Sequence, residues 1–196
     1  RFAGRMQIEA KRLSDLVQEI IDLSRLQDND PLVDGKVFTM TDAIHEAIEQ
    51  SRMSAESKKI AINFSPLHSA QVLGDRNQVV MAIHNLVENA INYSPESTRV
   101  AVTLKEESGL IEVSVSDQGI GIPEKDLERI FERFYRVDAA RSRATGGTGL
   151  GLSIVKHVAT NHGGDVSVWS VEGAGSTFTI RFPQAHKHER QSNGVA

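Results

Sequence analysis

Apolar residues recur every third or fourth position at the start of the chain. Phe2, Met6, Leu13, Leu16, Ile20 and Leu23 fall on heptad a and d positions, with Ala10 and Val17 beside them and Glu9 interrupting the d series. This spacing predicts one long helix over residues 2–27. A helix so apolar on one side needs a cover, either its own domain or the seam of a bundle or dimer. "QDNDPLVDGK" then reads as a linker, rich in turn-forming residues.

After the linker the pattern alternates between periods. "KVFTM", "KIAINF" and "AQVLGD" read as short strands. A helix capped by Thr41 or Asp42 runs to about Met53, and a second one, capped by Asp75, runs to Tyr93 and stops at "SPES". "RVAVTLK" and "LIEVSVSD" form a hairpin, Pro123 opens a short helix, and residues 132–147 form a long loop containing Arg and Gly. A last helix spans about Thr148 to Asn161 and ends at "HGG". "DVSVWSV" and "STFTIRF" make a final hairpin, and a polar tail follows Pro183. The order implies an α+β fold, a mixed and mostly antiparallel sheet with helices on one face, preceded by one long helix. Four segments follow: 1–28 helix, 29–35 linker, 36–183 main domain and 184–196 disordered tail.

Composition narrows the function classes. The 196 residues carry a formal net charge of −4 without a basic block, which disfavours a nucleic-acid partner. Cysteine is absent, which excludes disulfides and thiolate metal sites. No run approaches the ~18 apolar residues of a membrane helix. The chain starts at Arg1 inside a helical pattern and reads as part of a longer protein.

Four strings can carry chemistry. In "HNLVENAINYSP", Asn85, Asn89 and Asn92 share one helix face, with Glu88 on its edge and Val80, Ile83, Val87 and Ala90 on the opposite side. Asn is a poor helix former, so three in line suggest oxygen ligands for a hard cation, a merely solvated face being the alternative; neutral amides suit Mg²⁺ that keeps waters and phosphates. "SDQGIGIP" ends a strand at Asp117, where a carboxylate could accept from an exocyclic amine while Gly119 and Gly121 let the backbone approach a flat base; a plain turn is the alternative. "FERFYRVDAARSRATGG" sets Arg136, Arg141 and Arg143 in a loop, apt for polyphosphate or merely solvated. "GGTGLGLSI" lacks the Gly-Lys-Ser/Thr of a P-loop and the G-x-G-x-x-G of a dinucleotide turn. It remains a glycine turn feeding a helix N-terminus, which favours phosphate.

Taken in order, "NLVENAINYSP", "DQGIGIP", "FERFYR" and "GGTGLGLSI" resemble the N, G1, F and G2 boxes of sensor histidine kinases, over roughly residues 36–183. The resemblance implies a Bergerat-type two-layer α/β sandwich, as in gyrase and heat-shock chaperone ATPases, with ATP and Mg²⁺ as cofactors. It implies Asn89 as the Mg²⁺ ligand with Asn85 as helper, Asp117 on the adenine amino group with Thr177 assisting, and Tyr93 along the nucleotide. Gly119, Gly121, Gly147, Gly149, Leu150 and Gly151 would shape the pocket and the end of an ATP lid. Asn85, Glu88 and Arg136 are the candidate catalytic residues; Asn92 stands where many members carry Lys or Arg.

"AKRLSDLVQEIIDLSRLQ" is similar to the second helix of the family's dimerisation and phosphotransfer region, which implies a homodimer in the full-length protein. None of the seven histidines has the context of a phosphoacceptor; His84 reads as structural or surface, His162 as a helix-end residue, and His186 and His188 lie in the tail. The implied reaction moves the ATP γ-phosphoryl to a histidine on another helix and then to an Asp of a response regulator. The alternatives are a Bergerat-type ATPase, whose motif has Glu where this chain has Asn85, and a nucleotide-binding scaffold. The resemblance also implies a cytoplasmic domain of an inner-membrane protein, with membrane contact only through other segments. "ARSRATGGTGLGLSIVKHVATNHGG" further resembles actinobacterial kinases that respond to phosphate supply.

Overall fold

The computed structural model describes residues 2–28, 30–65, 70–137 and 147–185. Arg141, Arg143, His186 and His188 lie outside them, as does the side chain of Phe2. The long helix α1 spans Phe2–Asp28. Strand β1 (Lys36–Thr39) leads into α2 (Met40–Gln50) and α3 (Arg52–Ser57). Strands β2 (Ala61–Phe64) and β3 (Gln71–Gly74) precede α4 (Arg76–Tyr93). The hairpin β4 (Arg99–Glu107) and β5 (Leu110–Ser116) follows, then α5 (Gly151–Asn161), β6 (Asp165–Val171) and β7 (Gly175–Pro183).

Five strands form one sheet in the order β2-β4-β5-β7-β6, and β1 pairs with β3 in a separate two-stranded sheet. Only the β2–β4 pair is parallel within the larger sheet. Alternation decides its two faces. Val102, Val115 and Phe178 lie abreast across three strands, as do Val113 and Ile180, and all are buried against the helices. Opposite them, Ser114 pairs with Thr179 at 2.8 Å, Ser116 pairs with Thr177 at 2.9 Å, and Arg181 bonds Glu112 and Asp165. No helix among the described residues covers that hydroxyl-rich face, and Trp169 stands on it 66% exposed.

The helices complete the core. Val79, Ile83, Leu86, Val87 and Ile91 of α4 are buried with Ile154, Val155 and Val158 of α5 and Met40 and Ile44 of α2. Each such large aliphatic contributes about 1.5–3 kcal/mol relative to exposure. Asp75 caps α4 by accepting from the Asn77 and Gln78 N–H groups at 2.8 and 3.3 Å. Its own N–H donates to His162 Nε2 at 3.1 Å, and His162 Nδ1 donates to the Val158 carbonyl at 2.8 Å. His162 therefore ties the start of α4 to the end of α5 as a neutral imidazole, and burial pushes its pKa down.

Several boundaries differ from the sequence reading. Helix α2 starts at Met40 after Thr39 and stops at Gln50, because Ser51 is buried with its hydroxyl 2.9 Å from His84 Nδ1 and breaks the run before Met53. The segment after Pro123 forms two single 3₁₀ turns, Glu124–Asp126 and Arg129–Phe131. Helix α5 starts at Gly151, three residues later than expected, since Gly149 has φ +82° and cannot continue a helix. Gln184 and Ala185 remain tied to the fold: Ala185 N–H donates to the Gln71 carbonyl at 2.8 Å.

Among the described side chains of helix α1, the covered ones lie toward its C-terminal end. Leu23 and Leu26 are buried and Leu16 partly so, and the Leu26 carbonyl accepts from Asn161 Nδ2 at 2.9 Å. Thr148 donates to Glu19. Among the described residues earlier in the helix, Met6, Leu13, Val17 and Ile20 stay exposed.

Candidate functional site

A cavity of about 800 Å³ opens between α4, the turn after β5, and the segment following the 3₁₀ turns. That size is typical for a small-molecule site. Its walls are mostly apolar, with Ile122, Ile130, Leu152 and Phe178 among them, and its polar groups include Asn89, Asn92, Asp117, Ser176 and Arg136.

Asp117 is set by the end of β5. Its N–H continues the ladder to the Ser176 carbonyl at 2.9 Å, and its side chain then turns into the cavity. Oδ1 accepts from the N–H groups of Gly119 (2.7 Å) and Ser176 (3.2 Å). Desolvation pushes the Asp117 pKa up, and these two N–H bonds partly hold it down. Both bonds fall on Oδ1, which leaves Oδ2 of this cavity-lining carboxylate as an acceptor for a ligand donor.

The turn beyond Asp117 is clamped from every side. Ile120 N–H donates to the Tyr93 carbonyl at 3.4 Å and the Ile120 carbonyl accepts from Gly173 N–H at 2.7 Å. Ile122 N–H donates to Ser170 Oγ at 2.9 Å. Gly121 has φ +67°, and a Cβ there would lie 2.1 Å from the Val171 carbonyl oxygen. At Gly119 a Cβ would lie 2.6 Å from the Tyr93 carbonyl oxygen. Behind the helix end, Lys58 Nζ donates to the carbonyls of Ile91 and Asn92 at 2.8 Å and of Ser94 at 3.2 Å, taking the free carbonyls and opposing the dipole of the α4 C-terminus.

The asparagine face reaches the cavity at two of its three positions, and Asn85 is not among the lining residues. Asn89 and Asn92 line the cavity; Tyr93 lines it too and is partly exposed. Asn85 donates to the Met81 carbonyl at 3.0 Å, and its Oδ1 faces Gly151, where a Cβ would approach to 2.9 Å. Among the described residues no three His, Cys, Asp or Glu side chains cluster as a metal cage. The donors present are neutral amide oxygens, which fits a hard cation that brings its own waters and phosphate oxygens.

The other expected residues divide. Gly119, Gly121 and Arg136 line the cavity. Gly147 and Gly149 do not; they pack on the chain at 134–136, with Phe134 N–H donating to the Gly149 carbonyl at 2.9 Å. Glu88 is half-buried and outside the cavity wall. Two expectations need correction. Thr177 bonds Ser116 on the open face of the sheet, and its neighbour Ser176 is the cavity residue beside Asp117. Leu150 is fully buried in the core, and Leu152 reaches the cavity instead. Strand parity carries the first signal, since Ser176 shares its face with Phe178, Ile180 and Phe182. Lys58 carries no signal in the sequence, because its three acceptors lie 33 to 36 residues away.

Residues 74–186 match the family model described as "Histidine kinase-, DNA gyrase B-, and HSP90-like ATPase". The chain belongs to that family. Within it the chain is the catalytic domain of a sensor histidine kinase: a mycobacterial sensor histidine kinase, MprB, superposes with a TM-score of 0.67 at 32% identity, covering 76% of this chain and 97% of that one. Full-length ShkA in complex with AMPPNP superposes with a TM-score of 0.76 at 26% identity, covering 94% of this chain and 38% of that one. Among curated proteins, the sensor-like histidine kinase SenX3 of Mycolicibacterium smegmatis is 47% identical over 97% of this chain, and the phosphate regulon sensor protein PhoR of Pseudomonas aeruginosa is 36% identical over 97%. The chain spans 51% and 43% of the length of those two relatives.

Proposed function

We propose that the cavity binds Mg·ATP and delivers its γ-phosphoryl group to a histidine outside these 196 residues, from which it passes to an Asp of a response regulator. The observation that carries this reading is Asp117, whose half-buried carboxylate is fixed through Oδ1 so that Oδ2 can accept from the adenine amino group. Ser176, not Thr177, assists there, and Tyr93 lies along the nucleotide. Asn89 is the proposed Mg²⁺ ligand, with Asn85 as helper across from Gly151. Bound Mg²⁺ would neutralise the phosphate charge. Arg136 would add a guanidinium at the same end. The P–O bond to ADP breaks as the P–N bond to the acceptor imidazole forms, a step that needs positioning more than covalent help.

Steady ATP hydrolysis is disfavoured, because position 85 is an amide and Glu88 lies off the cavity wall. The division into a dimerisation helix (1–28), linker (29–35) and catalytic domain (36–183) belongs to the same reading, which places a homodimer seam on the exposed stripe of α1. Among the described residues no helix is long and apolar enough to cross a membrane, so membrane attachment, a cytoplasmic setting and a phosphate-related signal rest on the resemblance to SenX3 and PhoR. Calorimetric titration with Mg·ATP tests the site. Saturable binding that Asp117→Asn weakens about 100-fold supports the reading, and no binding by the unaltered chain overturns it.

A further inference from the structure

Asp126 is a carboxylate with no place in the reaction just described, yet it is 6% exposed. A buried carboxylate is costly unless a donor satisfies it. Here the donor is Tyr135, whose hydroxyl lies 2.6 Å from Asp126 Oδ1. That bond raises the Tyr135 pKa, so the phenol keeps its proton. The Arg129 guanidinium covers the Tyr135 ring at 4.2 Å from its centroid. One residue earlier, Phe134 N–H donates to the Gly149 carbonyl at 2.9 Å, and one residue later Arg136 lines the cavity. The Arg136 guanidinium lies beside Gly147, where a Cβ would be 3.8 Å from it. Gly147 is four residues before Gly151, which faces Asn85. The backbone at Phe134 and Tyr135 is thus pinned, the Tyr135 N–H donating to the Glu132 carbonyl at 3.3 Å, and the next residue is a cavity arginine beside Gly147.

We propose that Asp126 is a positioning residue that acts through Tyr135 to hold Arg136 against the terminal phosphate of the nucleotide. The role rests on the Mg·ATP reading of the cavity. It explains why an acid is buried in a 3₁₀ turn outside the site: an anchored phenol fixes the backbone one residue before the arginine, and a preorganised guanidinium loses less on binding phosphate.

The test compares affinities for ADP and for a non-hydrolysable ATP analogue, both with Mg²⁺, in the unaltered chain, Tyr135→Phe, Asp126→Asn, Arg136→Ala and the Tyr135→Phe/Arg136→Ala double variant. Tyr135→Phe keeps the ring and the Arg129 stack, and melting temperatures verify that each variant is folded. Arg136→Ala is expected to weaken the ATP analogue roughly tenfold relative to ADP, as for loss of one charge-assisted bond. Tyr135→Phe should shift the same ratio by about threefold to fivefold, Asp126→Asn by less because the amide oxygen still accepts, and the double variant should be no worse than Arg136→Ala alone. A merely structural role would weaken both nucleotides together. Equal weakening of both, additive losses in the double variant, or unchanged ratios in Tyr135→Phe or Arg136→Ala overturn the role while the cavity reading stands. Absence of binding by the unaltered chain overturns both.

Discussion

Two parts of the cavity wall are built differently. Around Asp117 the walls are backbone: N–H groups from Gly119 and Ser176 hold the carboxylate, and Ile120 joins α4 to the β6–β7 turn. Around Asn89 and Arg136 the polar groups are side chains, on a helix face and on the chain just before residues 138–146. A backbone frame suits a flat, invariant group such as a base. Under the proposed reading, the side chains take the charged phosphates.

The largest expected effect falls on the backbone end. Gly121→Ala forces a Cβ to 2.1 Å from the Val171 carbonyl oxygen at φ +67°. Strain of that kind costs about 1–3 kcal/mol, so the denaturation midpoint should fall and nucleotide binding should be lost together. If the variant binds normally, the base end is softer than its hydrogen bonds imply.

Asp117→Asn sharpens the contrast, because it should separate binding from stability. The Gly119 and Ser176 N–H groups would claim the single amide oxygen and leave an NH2 facing the amine donor, so nucleotide affinity should fall about 100-fold, equivalent to a bond worth about 2.7 kcal/mol. Stability should hold or rise, since a desolvated charge is removed. A large drop in melting temperature would count against this account of the site.

At the side-chain end, Asn89→Ala should weaken Mg·ATP by roughly tenfold and abolish its magnesium dependence, while metal-free ADP binding changes little. Titrations with and without Mg²⁺ check this. An unchanged magnesium dependence would move the cation elsewhere.

The pH responses should also differ. Burial lowers the His162 pKa, so the unfolded chain binds more protons just below the ordinary histidine value of about 6.5. Stability from the His162 bridge is full above that value and is lost as pH falls through it toward the folded pKa. Asp117 shifts the other way: its folded pKa lies above 3.8, so its ionisation lowers stability as pH rises from 3.8 through the folded value. Affinity for nucleotide follows the ionised form and should fall on acidification before an ordinary carboxylate titrates. Melting curves and titrations across the acid range separate the two. Thr177→Val should mark the lower limit, with nucleotide affinity unchanged within about twofold, since the Thr177 hydroxyl lies on the open face of the sheet.

Local pattern determined a great deal here. Heptad and alternating periods suffice for α1, α4, α5 and the two long hairpins, and Asp75, read as the cap of α4, accepts from its first N–H groups. Spacing alone puts three asparagines on one helix face, because helix geometry is local. Tertiary structure decided the rest. It placed Ser176 rather than Thr177 next to Asp117, set Leu150 in the core, and buried Leu23 and Leu26 of α1. Strand parity and the positive φ of Gly149 were sequence-compatible but needed neighbours to select them. The Lys58 cap and the Asp126–Tyr135 pair are contacts between elements: the first spans more than 30 residues, and the second depends on how 3₁₀ turns fold back. Periodicity assigns a residue to a face; which atom lies across from it is set only when the layers pack.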